Sequence, residues 1–234
     1  MKFVLSGEGP TDIGKIDYCT RSFDPGPMTL FIDSIVHRTI GSSPLETHRT
    51  DENVILFIPK SELFDRNKNE KMVLPSKKAS KGFAYFAKNA HTLGRIAKDI
   101  AIRTNDFQTV AVLFRDSDPT RSHDDYEAKR DSMNTGFERA RFEHGVPMIP
   151  RQSMEAWLLD SYDWQGETHR DFENDPGGRH SALPYKTQLM DLIGQSNQHY
   201  LVQLVKDGTF DQNRIGVKSF RQFKTRLIEV LSWE

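Results

Sequence analysis

The chain has 234 residues, 28% of them charged, with a formal net charge of −1 and one cysteine, Cys19. That length suits one moderately large domain with a substantial core, which needs neither disulfides nor structural metal for stability. A single cysteine excludes an intramolecular disulfide and a Cys-rich zinc site and fits a reducing cytoplasm, and no apolar run is long enough to cross a bilayer.

The N-terminus enters a strand directly, without a signal-peptide pattern. Lys2–Ser6 is short and apolar, and the turn Ser6-Gly7-Glu8-Gly9-Pro10 that follows carries a carboxylate among turn residues. Thr11–Arg21 comes after Pro10, a residue suited to a first helical turn, and reads as a helix. Met28–Ile40 has Leu30, Phe31, Ile35, Val36 and Ile40 at helical spacing. Asn53–Ile58 is the second strand, and a basic insert covers about residues 59–82. Gly82–Arg103 is a long amphipathic helix, Thr109–Phe114 the third strand, Asp124–Glu143 a charged helix, and Val146–Ile149 the fourth strand. Ser153–Asp160 reads as a helix and Trp164–Ala182 as a polar loop. Three or four short helices follow, ending with Ser219–Leu231 and its apolar face of Phe220, Phe223, Leu227, Ile228 and Leu231.

The four strands are rich in Val, Ile, Leu and Phe and do not alternate with polar residues, as expected of strands covered on both faces. The expected class is therefore α/β: a doubly wound, mainly parallel four-stranded sheet over residues 1–160. Residues 161–234 form a helical extension packed on it, because their own core is small.

Parallel α/β sheets bind ligands beyond the carboxyl ends of their strands. Glu8 follows the first strand, Asp116 and Asp118 the third, and Glu155 opens the helix after the fourth. Each has an ordinary explanation alone. Glu8 suits a helix dipole, the aspartates suit a cap or turn before Pro119, and Glu155 suits a pair with Arg151 one turn back. Together they form a carboxylate cluster that repels itself unless a cation joins it. All-oxygen ligation favours Mg²⁺, with Mn²⁺ as the alternative.

These residues resemble the TOPRIM family, the metal-dependent domain shared by type IA and II topoisomerases, DnaG-type primases and overcoming-lysogenization-defect nucleases. The likeness rests on "VLSGEGPTD", a first strand ending in Glu within a glycine turn, and "VLFRDSD", a later strand ending in Asp-x-Asp. "SMEAWLLD" and "SFRQFKTRL" are similar to a third acidic motif and a C-terminal helix of small stand-alone bacterial TOPRIM proteins of defence loci. The resemblance covers about residues 1–160 well, with a longer insert between the motifs than the minimal core. It implies that Glu8 is the catalytic glutamate and that Asp116 and Asp118 are metal ligands, with Glu155 completing the acidic set. Strand passage needs a tyrosine-bearing partner domain and priming usually a zinc module, so the implied activity is Mg²⁺-dependent hydrolysis of phosphodiester bonds. It further implies an antiphage-defence effector gated by an ATPase partner; the chain has no G-x-x-x-x-G-K-[ST] segment of its own.

The implied substrate is DNA or RNA. From Lys60 to Lys98 basic residues outnumber acidic ones, with Phe64, Phe83 and Tyr85 interleaved. Lys68, Lys71, Lys77, Lys78 and Lys81, with Arg115 and Arg151 near the acidic groups, are the candidate phosphate contacts; Lys186 is a remote third cation, and His123 lies close to Asp118 in sequence. Two other readings stand beside this one. "DSDPT" also fits a haloacid-dehalogenase-type phosphatase with Asp116 as nucleophile, although that loop normally follows the first strand and leaves Glu8 without a role. The chain could equally serve as a non-catalytic, partner-regulated binding subunit. A homodimer is compatible with the sequence, which does not set the oligomeric state.

Overall fold

A computed structural model describes residues 1–17, 19–20, 22–69, 83–117, 125–164, 171–174 and 184–232. Four strands, β1 (Phe3–Ser6), β4 (Ile55–Phe57), β5 (Val110–Phe114) and β6 (Gly145–Met148), form one sheet in the order β4-β1-β5-β6 with every pairing parallel. The sequence expectation of a parallel four-stranded α/β sheet is met; β1 and β5 are one residue shorter than their apolar runs, β4 is three shorter, and β6 has the expected length but starts one residue earlier.

Side-chain alternation along the strands divides the core in two. Phe3, Leu5, Val112, Phe114, Val146 and Met148 face α1 (Pro27–Ile40), α6 (Met154–Ser161) and α9 (Lys218–Leu231). Val4, Ala111 and Leu113 face α4 (Phe83–Thr104) and α5 (Asp125–Ala140). Helices on both faces explain why no strand shows a polar side. Of the remaining helices, α2 (Pro44–His48) precedes β4, α3 (Lys60–Asn69) follows it, and α7 (Tyr185–Ile193) and α8 (Gln198–Lys206) lie after α6. Leu189 of α7, Leu201 of α8 and Phe220, Phe223 and Leu227 of α9 join the same core as β1 and β5.

The stretch read as a helix from Thr11 to Arg21 is instead a turn and a small antiparallel hairpin, β2 (Gly14–Ile16) with β3 (Phe23–Pro25). Gly14 sets this outcome. Its φ of +127° is foreign to a helix, and a Cβ there would lie 2.3 Å from the Asp24 carbonyl oxygen. The first helix of the fold starts later, at Pro27, and stops at Gly41, whose left-handed φ of 74° lets its N–H bond the His37 carbonyl.

The two sequence motifs after the fourth strand meet in space. Trp157 of α6 is fully buried, stacks on Phe223 with 5.9 Å between ring centroids, and donates Nε1–H to Ser219 Oγ at 2.8 Å. The α9 N-terminus rests on buried acids: Asp160 Oδ2 accepts from Gly216 and Val217 N–H, and Glu173 Oε1 from Ser219 N–H. Burial raises the Glu173 carboxyl above the usual range, with the Ser219 hydrogen bonds opposing. At the sheet margins, Arg226 of α9 donates to the carbonyls of Gly145 and Glu143, and His48 Nδ1 accepts from Ile55 N–H at 3.2 Å.

Helices α4 and α5 pack closely through glycine. A Cβ on Gly136 would lie 2.2 Å from the Ala87 carbonyl oxygen and 2.7 Å from Ala90 Cβ. Alanine ordinarily stabilises a helix relative to glycine, so the sign of its effect here is diagnostic. Gly136→Ala is expected to lower stability by about 1–3 kcal/mol through overpacking, read as a fall in Tm; an unchanged or raised Tm contradicts this close approach.

Candidate active site

The chain leaves β1 through α1 on one face to reach β4, and leaves β5 through α5 on the opposite face to reach β6. The crevice between β1 and β5 is thus where the winding reverses, the usual ligand position of an open parallel sheet. The last register pair between these strands is Ser6 with Leu113. Carrying that register two residues further sets Glu8 opposite Arg115, and Glu8 Oε1 lies 4.0 Å from Arg115 Nε.

The turn after β1 is built on Asp12, a residue sequence reasoning missed. Its side chain is buried; Oδ2 accepts the N–H groups of Glu8 at 2.8 Å and Gly9 at 3.0 Å, and Oδ1 accepts that of Ile13. Gly7 is obligatory above it, since a Cβ there would sit 2.5 Å from Asp12 Oδ1. The backbone behind is anchored to the start of α1, with Met28 N–H donating to the Asp12 carbonyl and Gly26 N–H to that of Ile13. Glu8 therefore projects from a fixed turn. Its half-buried carboxylate also lies 3.8 Å from Nζ of Lys60, the first residue of α3 after β4. Three strand ends deliver this group: Glu8 from β1, Lys60 from β4 and Arg115 from β5.

Arg115 is fully buried, and its Nη1 donates to the Phe114 carbonyl at 2.6 Å. Its Nε and Nη2 make no hydrogen bond among the described residues. The next residue, Asp116, turns the other way and accepts Met154 N–H at 3.0 Å through Oδ1, holding the first turn of α6 where Glu155 stands half-buried. Ser117 closes the strand end: its N–H donates to the Pro150 carbonyl, its Oγ to the Arg151 carbonyl, and its own carbonyl accepts from buried Lys129 Nζ.

The acidic residues expected from the sequence thus fall into two neighbouring groups, Glu8 with two cations and Asp116 with the α6 N-terminus. Asp118, His123, Lys71, Lys77, Lys78 and Lys81 lie outside the described residues. Among the described residues no three His, Cys, Asp or Glu side chains gather closely enough to hold a metal ion. The donors that are present, carboxylates from separate strand ends, are of the hard type that Mg²⁺ takes. Of the other expected phosphate contacts, Lys68 pairs with Asp65 at 3.0 Å and lies over the exposed Phe64 ring. Arg151 donates to Asn174 and lines a separate open pocket of about 340 Å³ with Lys218 and Arg221.

No family model matches the chain, and neither a curated protein nor a solved structure matches it. No helix among the described residues is long and apolar enough to cross a membrane.

Burial pushes the Asp12 carboxyl up to about 6, while its three backbone N–H partners and Arg115 restrain the rise. A folded-state value above the ordinary 3.8 means that the folded protein holds a proton the unfolded chain has already lost. This group's contribution to stability is fully present below pH 3.8 and diminishes as pH rises to about 6. Asp12→Asn removes that slope. It also leaves amide hydrogens against N–H groups, at about 1–3 kcal/mol. Chemical denaturation of both proteins at pH 4, 5, 6 and 7 reads the two effects; parallel pH curves would refute the buried, proton-holding Asp12.

Proposed function

We propose that the chain is a Mg²⁺-dependent nuclease of the TOPRIM kind that hydrolyses phosphodiester bonds of DNA or RNA, with Mn²⁺ as an alternative ion. One observation carries this reading: Glu8 and Arg115, far apart along the chain, lie 4.0 Å apart at the point where the sheet reverses its winding. Asp116 follows directly, and Glu155 stands one residue after the amide that Asp116 binds. Among the described residues Glu8, Asp116 and Glu155 stand at the same edge of the sheet as the buried Arg115 cation, which supports a phosphoryl-transfer reading.

Glu8, Asp116 and Asp118 would hold the ion, with Glu155 completing the set. The bound ion would polarise the scissile phosphate and lower the pKa of an attacking water. The chain's own residues supply the rest. Arg115 and Lys60 are cations that offset charge developing on the phosphate oxygens, and the Asp12 turn fixes the Glu8 backbone so that its carboxylate needs no reorganisation. Asp116, tied to α6, keeps the ends of β5 and α6 at one spacing. Lys68 and the exposed rings of Phe64 and Tyr85 give α3 and the start of α4 a surface suited to a charged, base-bearing chain. A defence role gated by an ATPase partner belongs to the same reading and rests on the resemblance of the motifs. A phosphatase using Asp116 alone would leave the Glu8–Arg115 pair without a part in the chemistry.

The purified protein is to be incubated with plasmid, single-stranded DNA and tRNA in Mg²⁺, Mn²⁺ or EDTA, alone and with any ATPase encoded beside it. Cleavage is expected with the metal ions, to vanish in EDTA, and to fall about 10²–10⁴-fold in Glu8→Gln and Asp116→Ala. Cleavage that persists in EDTA or in Asp116→Ala overturns the proposal.

A further inference from the structure

We propose that Arg115 and Lys60 form a binding site for a tetrahedral phosphate group, and that Glu8 holds that position with its own carboxylate in the ligand-free protein. The proposal deepens the nuclease reading, on which it rests for the identity of the phosphate as part of a nucleic acid.

The Arg115 guanidinium has no exposed surface, and of its three nitrogens only Nη1 has a hydrogen-bond acceptor among the described residues. A buried charged donor left unbonded is among the more costly features a fold can carry. The two nitrogens without acceptors, Nε and Nη2, lie on one edge of the planar group. That edge is the fork that grips two oxygens of a carboxylate or phosphate side by side. The facing Glu8 carboxylate stands 4.0 Å from Nε, close enough to offset charge and too far to hydrogen-bond. Its second oxygen is similarly 3.8 Å from Lys60 Nζ. Glu8 thus sits between two cations without satisfying either.

A second acid that acts electrostatically on Arg115 is Asp12, and both its oxygens are engaged by backbone N–H groups. It balances charge without supplying an acceptor to the fork. Strand alternation places Ser6 on the same sheet face as Arg115, and its buried Oγ also has no partner among the described residues. Donors unpartnered among the described residues, at the ends of β1 and β5 and faced by a loosely placed carboxylate, describe a site shaped for an anion larger than that carboxylate. Two phosphate oxygens match the spacing of the fork and would reach it as the Glu8 side chain swings out, with Lys60 on the open side, where the exposed Tyr85 ring centroid lies 5.9 Å from Nζ.

The site is tested without metal, so that binding is read apart from cleavage. Inorganic phosphate is titrated calorimetrically into the full chain in EDTA, and a fluorescein-labelled thymidine oligonucleotide is followed by anisotropy in parallel. Removing the competing charge in Glu8→Gln is expected to tighten phosphate binding about tenfold over wild type. Arg115→Gln and Lys60→Ala, each combined with Glu8→Gln, are expected to reverse that gain. Lys60 is half-exposed at a helix start, so its variant reads the site even where loss of Arg115 unfolds the protein. Tightening for both probes supports a polymer phosphate, and tightening for inorganic phosphate alone supports the site with a small phosphorylated ligand. Equal affinity in wild type and Glu8→Gln, no phosphate binding by either, or an undiminished affinity in the Lys60→Ala double variant overturns the proposal. Metal-dependent cleavage without this response leaves the nuclease reading standing and removes the site; the response without cleavage does the opposite.

Discussion

The parallel pairing of β1 with β5 governs what this chain can do at its strand ends. Backbone hydrogen bonds lock Phe3 to Val110 and Ser6 to Leu113, and a parallel ladder has no freedom to slip by one residue without turning every buried side chain to the wrong face. The same lock delivers residue 8 and residue 115 side by side. Immediately beyond the ladder, the Asp12 carboxylate takes over from interstrand bonds by gathering three backbone N–H groups of the turn. Ladder and turn form one rigid support, and Glu8 projects from its rim.

Electrostatics at that rim depends on which charges are already committed. Asp12 is committed to the backbone, Asp116 in part to the α6 N-terminus, and the Lys129 amine to the Ser117 carbonyl. Among the described residues, Glu8, Lys60 and the outer edge of Arg115 are held by longer-range attraction. A fold that fixes some charges by hydrogen bonds and leaves others at ion-pair distance has separated the charges of its scaffold from those open to rearrangement. Binding that reorganises only the second group leaves the core undisturbed.

Much of this architecture was legible in the amino-acid order. Unalternating runs such as Val110–Phe114 announce strands covered on both sides, and the stripe from Phe86 to Ile100 announces α4. The opening motif was legible as a location but not as a mechanism. Pro10 suggested a helix from Thr11, whereas Gly14 adopts a backbone angle only glycine takes easily and bends the chain into a hairpin; the Gly14 and Gly26 pair was the available signal. Asp12 was passed over because an aspartate in a Gly/Pro turn ordinarily faces water, and only the packing of Gly7 and α1 around it shows its burial. Lys60 was one lysine among many in a basic stretch, distinguished by the strand end that carries it and not by its neighbours in sequence. The meeting of Trp157 with Phe220 and Phe223 likewise depends on how α9 returns to the sheet, which no local pattern encodes.

The outer margins of the sheet carry a consequence for self-assembly. Along β6, the carbonyls of Glu143 and Gly145 alternate with His144, which bonds inward to Ala111, so they point outward, and Arg226 occupies both. Pro147 removes the outward N–H that a further strand would need. On the opposite side, the outward N–H of Ile55 is taken by His48, and the Phe23 ring of the small hairpin stacks on Phe57. Several outward backbone groups on each flank are thus engaged by the chain itself, which disfavours lengthening of the four strands by a further strand from another subunit. Pairing of two copies through these two sheet edges is thereby disfavoured, leaving the rim around Glu8 governed by its own geometry in each.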